Sequence, residues 1–252
     1  SAIDGARQHG VDVFFSFRMN DQHGDSTDTP RLKRENPELL LGDQVPSWFA
    51  TSYDYTHHQV REHRLQMIRE VAENYDFDGF QLDFARHVPC LPPGRQWELR
   101  GHVTEFVRAV RLMLLDVAKK RKRPLLLAAR VPCNLEGCRQ DGFDIAHWAR
   151  ENLVDILTLG SRSIDCDIEG FRRVTSCRNI KLQPCHDDHH ASDAYQYPPI
   201  EFFRGVAANW WQQGADSVMT FNWSNANSDL CRKVGATPGP ASQRFDVRPA
   251  PT

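Results

Sequence analysis

Along the chain, short unbroken apolar runs alternate with longer stretches in which apolar residues recur every three or four positions. The first rhythm marks buried strands and the second marks helices with one covered face. "VDVFFSFRM" (11–19) reads as a strand that ends in polar "NDQH". From His57 to Tyr75, residues Val60, Leu65, Ile68, Val71 and Tyr75 keep near-helical spacing, and 79–84 follows as a strand. A second helix covers about 95–120, with the stripe Val103, Phe106, Val110, Leu114 and Val117. Next come a strand "PLLLAARV" (124–131), a short helix (143–152), a strand (154–160), a weak helix (167–177) and a strand (179–185). "PPIEFFRGVAANWWQQG" opens on prolines, stops at Gly214 and puts Ile200, Phe203, Val206 and Trp210 on one face. "DSVMTFNW" (216–223) is the last strand.

Strand–helix alternation of this kind predicts a parallel sheet covered by helices. Polar residues gather just after the strands: Asp21 and His23, Arg86 and His87, Arg130, His186 to His190, and Asn222. In a (β/α)8 barrel all these points lie on one face, the catalytic face. The fold expected is therefore α/β, a TIM-type barrel lacking its first two strands in this chain, with an open flank where they belong. A doubly wound open sheet is the alternative, but no G-x-G-x-x-G follows any strand. The barrel domain is placed at 1–229, N-terminally incomplete, and the Pro-, Gly- and charge-rich stretch 230–252 as an irregular tail or linker. The long polar segment 21–56 is expected over the carboxyl ends of the strands, because loops of such length are usually functional.

Composition narrows the partners. A formal charge of -2 over 252 residues points away from nucleic acid. No stretch approaches the ~20 apolar residues of a membrane span. The run "KKRKR" (119–123) ends a helical pattern, where cations complement the helix dipole, and is read as a solvated helix end rather than an anion patch. Seven cysteines leave at least one unpaired, and without a C-x-x-C pair they read as buried thiols rather than a zinc ribbon. "SAIDGARQHG" resembles the last turns of a helix running into a strand, so the chain is expected to start mid-domain. A signal upstream of Ser1 would make the protein secreted or periplasmic; localisation and oligomeric state stay open.

The stretch "YDFDGFQLDFARH" (75–87) sets an aspartate, Asp83, between the buried apolar residues Leu82 and Phe84. A carboxylate there is costly unless paired. Together with "FFSFRMNDQH", "VREHRLQMIREVAENYDFDGFQLDFARH", "LLLAARVP", "DGFDIAHWARENLVDILTLG" and "FFRGVAANWWQQGADSVMTFNW", it resembles the bacterial family 10-like glycosyl hydrolases from about Val11 to Trp223. The resemblance implies a (β/α)8 barrel, cleavage of glycosidic bonds in a poly- or oligosaccharide without a cofactor or metal, and a cleft that holds the aspartate of the "DG-x-x-x-D" strand end, here Asp83. A wider echo is the amylase-type pattern G-F-R-x-D-x-x-x-H, which Gly79, Phe80, Asp83 and His87 fit. Gln81 stands where that pattern has arginine, and Arg130 rather than a glutamate ends the next strand, so the amylase mechanism is not carried over.

Strand alternation turns Asp83 away from Leu82 and Phe84, toward the barrel interior with Gln81. There it either meets substrate or pairs with Arg86, Arg130 or Arg18. Glycoside hydrolysis usually needs two carboxyl groups. Asp187 in "PCHDDHH" is the first choice for the second, with Asp188, Glu136 and Asp21 as rivals. Arg18, Arg86, Arg130 and Asn222 are candidates to hold substrate, including an acidic sugar, or to form structural ion pairs. His23, His87 and His186 are candidates for sugar hydroxyls or for tuning a carboxyl group. Trp48, Trp148 and Trp223 are candidate stacking platforms, against the commoner core role. Two further classes remain open. A metal-dependent hydrolase would use Asp21-x-His23 and the His186–His190 cluster. A non-catalytic carbohydrate-binding barrel would keep the fold without turnover.

Overall fold

The computed structural model describes residues 1–20, 30–160, 163–187 and 200–221. Its elements run α1 (Ala2–Gln8), β1 (Phe14–Arg18), α2 (Arg31–Glu35), α3 (His58–Asn74), β2 (Gly79–Asp83), α4 (Gln96–Arg121) and β3 (Leu126–Val131). They continue with α5 (Leu135–Gln140), α6 (Ile145–Arg150), β4 (Ile156–Leu159), α7 (Ile168–Thr175), β5 (Lys181–Asp187), α8 (Ile200–Gln212) and β6 (Met219–Phe221). All six described strands are parallel and stand in chain order, β1 to β6.

The sheet is curled rather than flat. Gln81 on β2 donates from Nε2 to Met219 Sδ on β6 over 3.7 Å, and the Arg130 guanidinium on β3 lies 3.8 Å from the centre of the Phe221 ring on β6. In a flat sheet β2 and β6 would be four strand spacings, ~19 Å, apart. Only a barrel-like curl lets these side chains meet across the interior. The fold is a (β/α) barrel in which six parallel strands are described, with β1 and β6 at its edges.

Alternation sorts the strand residues. Phe80, Leu82, Leu127, Ala129, Val131, Leu157, Leu159 and Leu182 face the helices and form the core. Against them α4 lays Val103, Phe106, Val107, Val110, Met113, Leu114 and Val117, which extends the predicted stripe. On α3 the buried row is Val60, Arg64, Ile68 and Ala72, while Tyr75 is 56% exposed. The expected stripe there is rotated because Arg64 takes a core position. Its guanidinium lies 4.8 Å from the Tyr53 ring and 5.4 Å from that of Phe17, so aromatic faces replace water around the charge.

Part of the basic run anchors the chain instead of merely solvating a helix end. Arg121 donates to the Ala72 and Tyr75 carbonyls, and Arg123 donates to the Asp76 carboxylate and the Phe77 carbonyl. The six described cysteines are unpaired, and Cys90, Cys138, Cys166 and Cys185 are buried. No described helix is long and apolar enough to cross a membrane.

The described part of the long excursion, 30–56, sits at the carboxyl ends of β1 and β2. Tyr55 donates its hydroxyl to the Met19 carbonyl over 2.7 Å, and its N–H reaches the Cys90 carbonyl over 3.0 Å. Asn20 accepts from the Tyr53 N–H and donates to the Pro89 carbonyl. The segment folds through α2 and single 3-10 turns at Pro37–Leu39, Gly42–Gln44 and Ser47–Phe49, elements too short to leave an apolar period in the sequence.

Candidate active site

The concave face is polar, and its lower tier is one continuous hydrogen-bond ladder. Ser16 Oγ donates to Gln81 Oε1 over 2.9 Å, and Gln81 Nε2 donates to Thr158 Oγ1 over 3.1 Å. Thr158 then donates to Gln183 Oε1 over 2.9 Å, and Gln183 Nε2 donates to Ser217 Oγ over 3.0 Å. The register explains the reach. Gln81 stands opposite Ala128, whose methyl side chain leaves room for it to pass over β3 to Thr158 on β4. Each amide uses both its ends, so the buried Gln81 and Thr158 are satisfied, with half-buried Gln183 and Ser217 and exposed Ser16 completing the ladder.

Above the ladder, Arg18 and Asp83 end β1 and β2, and Arg130, the last residue but one of β3, stands in register with them. Arg130 grips Asp83 two-pronged, Nε to Oδ1 at 2.8 Å and Nη2 to Oδ2 at 2.7 Å. Asp83 Oδ1 also accepts the backbone N–H of Arg86 over 3.0 Å. Asp83 is 2% exposed and Arg130 0%. Of the three partners the sequence offered, Arg130 is the counter-ion and Arg86 contributes its main chain. Phe221 covers the face of the Arg130 guanidinium, and the Arg86 guanidinium lies 5.8 Å from the centre of the same ring.

From the far side, β5 brings Cys185 and Asp187 to the same face by alternation, with Asp187 in register with Phe221. Both are buried. Burial pushes the Cys185 thiol up to about 12; Arg130 opposes this, while Asp83 and Asp187 add to it. The thiol therefore stays protonated, and its coupling to all three charged residues marks them as one cluster. Asp83 and Asp187, the predicted carboxylate pair, thus lie on the same interior face, on strands three apart.

Other candidates are placed elsewhere. His186, one residue out of phase, turns to the helix layer and meets the Phe203 ring edge-on at 4.2 Å. His87 is buried with Nδ1 3.0 Å from the Asn20 carbonyl, so that nitrogen carries the proton and ties the loops after β1 and β2 together. Glu136 is exposed on α5 and accepts from Gln140 one turn on. Trp148 is a core residue, 0% exposed, with Nε1 donating to Thr104; this corrects its reading as a platform. Trp48 is 62% exposed. Asp21, His23, Asp188, Asn222, Trp223 and the histidines after His186 lie outside the described residues. Among the described residues no group of three or more His, Cys, Asp or Glu is placed to hold a metal ion.

One titrating residue escaped the sequence reading. Asp141, after α5, is pushed up to about 6 by burial alone, and its carboxylate makes no hydrogen bond or ion pair among the described residues. The Asp-Gly turn it opens looks solvent-facing in the sequence. Here Gly142, at φ 80°, packs against the Gln96 carbonyl and Leu91, and the turn is drawn inward.

No family model and no curated protein matches the chain. Solved structures do. The chain is similar to α-L-fucosidase isoenzyme 2 from Paenibacillus thiaminolyticus, with TM-score 0.53, 15% identity, and 87% of this chain against 35% of that one. It is similar to a GH18 chitinase from Pseudoalteromonas aurantia, with TM-score 0.52, 13% identity, and 93% of this chain against 79% of that one. It is also similar to the glycoside hydrolase domain of PelA from Pseudomonas aeruginosa, with TM-score 0.52, 14% identity, and 86% against 81%. At such identity the likeness establishes the fold.

Proposed function

We propose that this chain is a glycoside hydrolase acting on an oligo- or polysaccharide, with Asp83 and Asp187 as its carboxylate pair. The observation that carries the reading is the burial of both carboxylates on the interior face of a (β/α) barrel, at the carboxyl ends of β2 and β5. That end of the fold is where barrel enzymes keep their chemistry. The names of the similar structures, a fucosidase, a chitinase and a glycoside hydrolase domain, point the same way. So does the resemblance of "DFDGFQLDFARH" to the bacterial family 10-like glycosyl hydrolases, an assignment that belongs to this proposal. In this reading Asp83, held by Arg130, stabilises positive charge developing at the anomeric carbon or attacks it. Asp187 serves as the acid for the leaving oxygen.

A second reading has one observation in its favour. Both Asp83 oxygens already accept hydrogen bonds from Arg130, and the pair is excluded from solvent. A purely structural ion pair in a non-catalytic carbohydrate-binding barrel would have the same description. Asp83→Asn and Asp187→Asn decide between them when turnover, followed as reducing ends released from a glycan panel, is measured beside the melting temperature. The hydrolase reading expects turnover to fall by orders of magnitude in material that is still folded. A variant that melts early yet turns over normally below its transition would remove Asp83 from the chemistry.

A further inference from the structure

Val131 and Leu159 end β3 and β4 in register, and each strand hands over to a segment that carries a cysteine, Cys133 after β3 and Cys166 after β4. The two segments are joined main chain to main chain, the Asp167 N–H donating to the Cys133 carbonyl over 2.9 Å. Such a bond sets Cys133 beside the residue before the donor, Cys166, with Cα atoms ~5–7 Å apart, the range of neighbouring strands. Disulfides usually span ~4.4–6.8 Å between Cα atoms. Both side chains also border one peptide unit. The Cys166 Sγ donates to the Leu159 carbonyl over 3.7 Å, and a methyl group on Gly160 would stand 2.9 Å from the Cys133 Cβ. Gly160, at φ 71°, leaves that space open. Cys133 is half-buried and so can be reached from solvent, whereas Cys166 is 5% exposed. Burial holds both thiols above their ordinary pKa, and at Cys166 the nearby Cys133 adds to this. Other described cysteines have other surroundings. Cys185 lies with Arg130, Cys90 accepts from Asn20, and Cys138 donates to the Pro132 carbonyl from within α5.

We propose that Cys133 and Cys166 are a closable thiol pair, which a low-molecular-weight disulfide oxidises to a cross-link between the segments after β3 and β4, at the carboxyl ends of the strands. The Cys133 thiolate attacks the small disulfide, forms a mixed disulfide and releases one small thiol. The Cys166 thiolate then attacks the Cys133 sulfur and displaces the second. Two protein thiols give up two protons and two electrons, and the small disulfide takes them up as two small thiols. The bond closes a loop of about 33 residues that holds α5, α6 and β4, so it clamps this wall of the barrel. The inference goes beyond the glycoside hydrolase reading and does not depend on it.

The test uses the full chain, purified under reductant and then held with oxidised glutathione at about pH 8.5, where thiolates are more abundant than at neutral pH. Free thiols are blocked with iodoacetamide, the folded chain is digested without reduction, and the peptides are mapped by mass spectrometry. The expected product is one peptide pair joined through Cys133 and Cys166. The oxidised chain should melt about 5–10 °C above the reduced one, the scale for a loop of this length, and dithiothreitol should reverse the gain. Neither Cys133→Ser nor Cys166→Ser should show it. Cys133 is half-buried, so Cys133→Ser should fold like the parent and serves as the control if the buried Cys166→Ser does not fold. A cross-link mapped from Cys133 to Cys138 or to any other cysteine would overturn the inference. So would a glutathione adduct left on Cys133 without closure, thiols that all stay free, or a closed bond that brings no rise in melting temperature.

Discussion

Removing both partners of the Asp83–Arg130 pair should cost well short of the sum of removing each alone. Arg130 is 0% exposed and Asp83 2%, so neither charge has water to fall back on. Asp83→Asn leaves the guanidinium buried without a counter-ion and removes its two-pronged bond, at about 3–5 kcal/mol. For a chain of this length that is a fall of roughly 10 °C in melting temperature. Arg130→Met is expected to cost a similar amount, because the carboxylate then keeps only the Arg86 N–H at 3.0 Å. In the double variant the asparagine amide oxygen can still accept from that N–H, and the methionine side chain fills the space under Phe221 without charge. The two losses should therefore fall short of additivity by about 2 kcal/mol or more, the scale of coupling between residues in one buried network. Urea denaturation of the parent, both single variants and the double, at one pH and salt concentration, gives the coupling directly. Strict additivity would refute the argument, since it would mean that each charge finds its solvation independently of the other.

Three further outcomes follow from the structure. Asp141 sits at about 6 when folded against an ordinary 3.8, so the folded state holds its proton more tightly. Its contribution is fully present below about pH 4 and is lost as pH rises through 6, and Asp141→Asn should gain about 1–2 kcal/mol at pH 8, after solvent screening, and almost nothing at pH 4; equal effects at both pH values would contradict this. Gly79→Ala should destabilise by about 1–3 kcal/mol on denaturation, because its methyl group would stand 2.4 Å from the Phe14 ring. Trp148→Ala should cost about 3–5 kcal/mol, since a fully buried ring packed on Phe84 and Phe143 leaves a cavity, and glycan binding by the folded remainder should be unchanged.

Much of this architecture was legible because buried parallel strands read as unbroken apolar runs and long helices repeat their stripe. α3 and α4 begin and end within a residue or two of their sequence limits, and all six strands were counted. The register of Asp83 against Arg130 was not legible, because it depends on how β2 and β3 slide against each other. The sequence placed both residues at strand ends and could not choose among Arg18, Arg86 and Arg130 as partner. His186 went astray through one residue of phase: the strand it ends runs to Asp187, two residues past the expected limit, and alternation then sends its ring to the helices. Arg64 and Asp141 hide for a related reason. Charge reads as exposure in a sequence, and only the packing shows an aromatic cage around one and an inward turn beneath the other.

The identity of chain order and spatial order in the sheet also governs how the molecule is made. Each strand emerging from the ribosome finds its neighbour already formed beside it, so the sheet can lengthen by one step at a time without threading between earlier strands. The Asp83–Arg130 bond needs nothing beyond residue 131 to form. Its cover, Phe221, belongs to the last described strand. A nascent chain therefore carries its central ion pair in an open, wet trough for the synthesis of about ninety further residues, at ~5–20 residues per second. Addition of β6 then converts that trough into a covered interior.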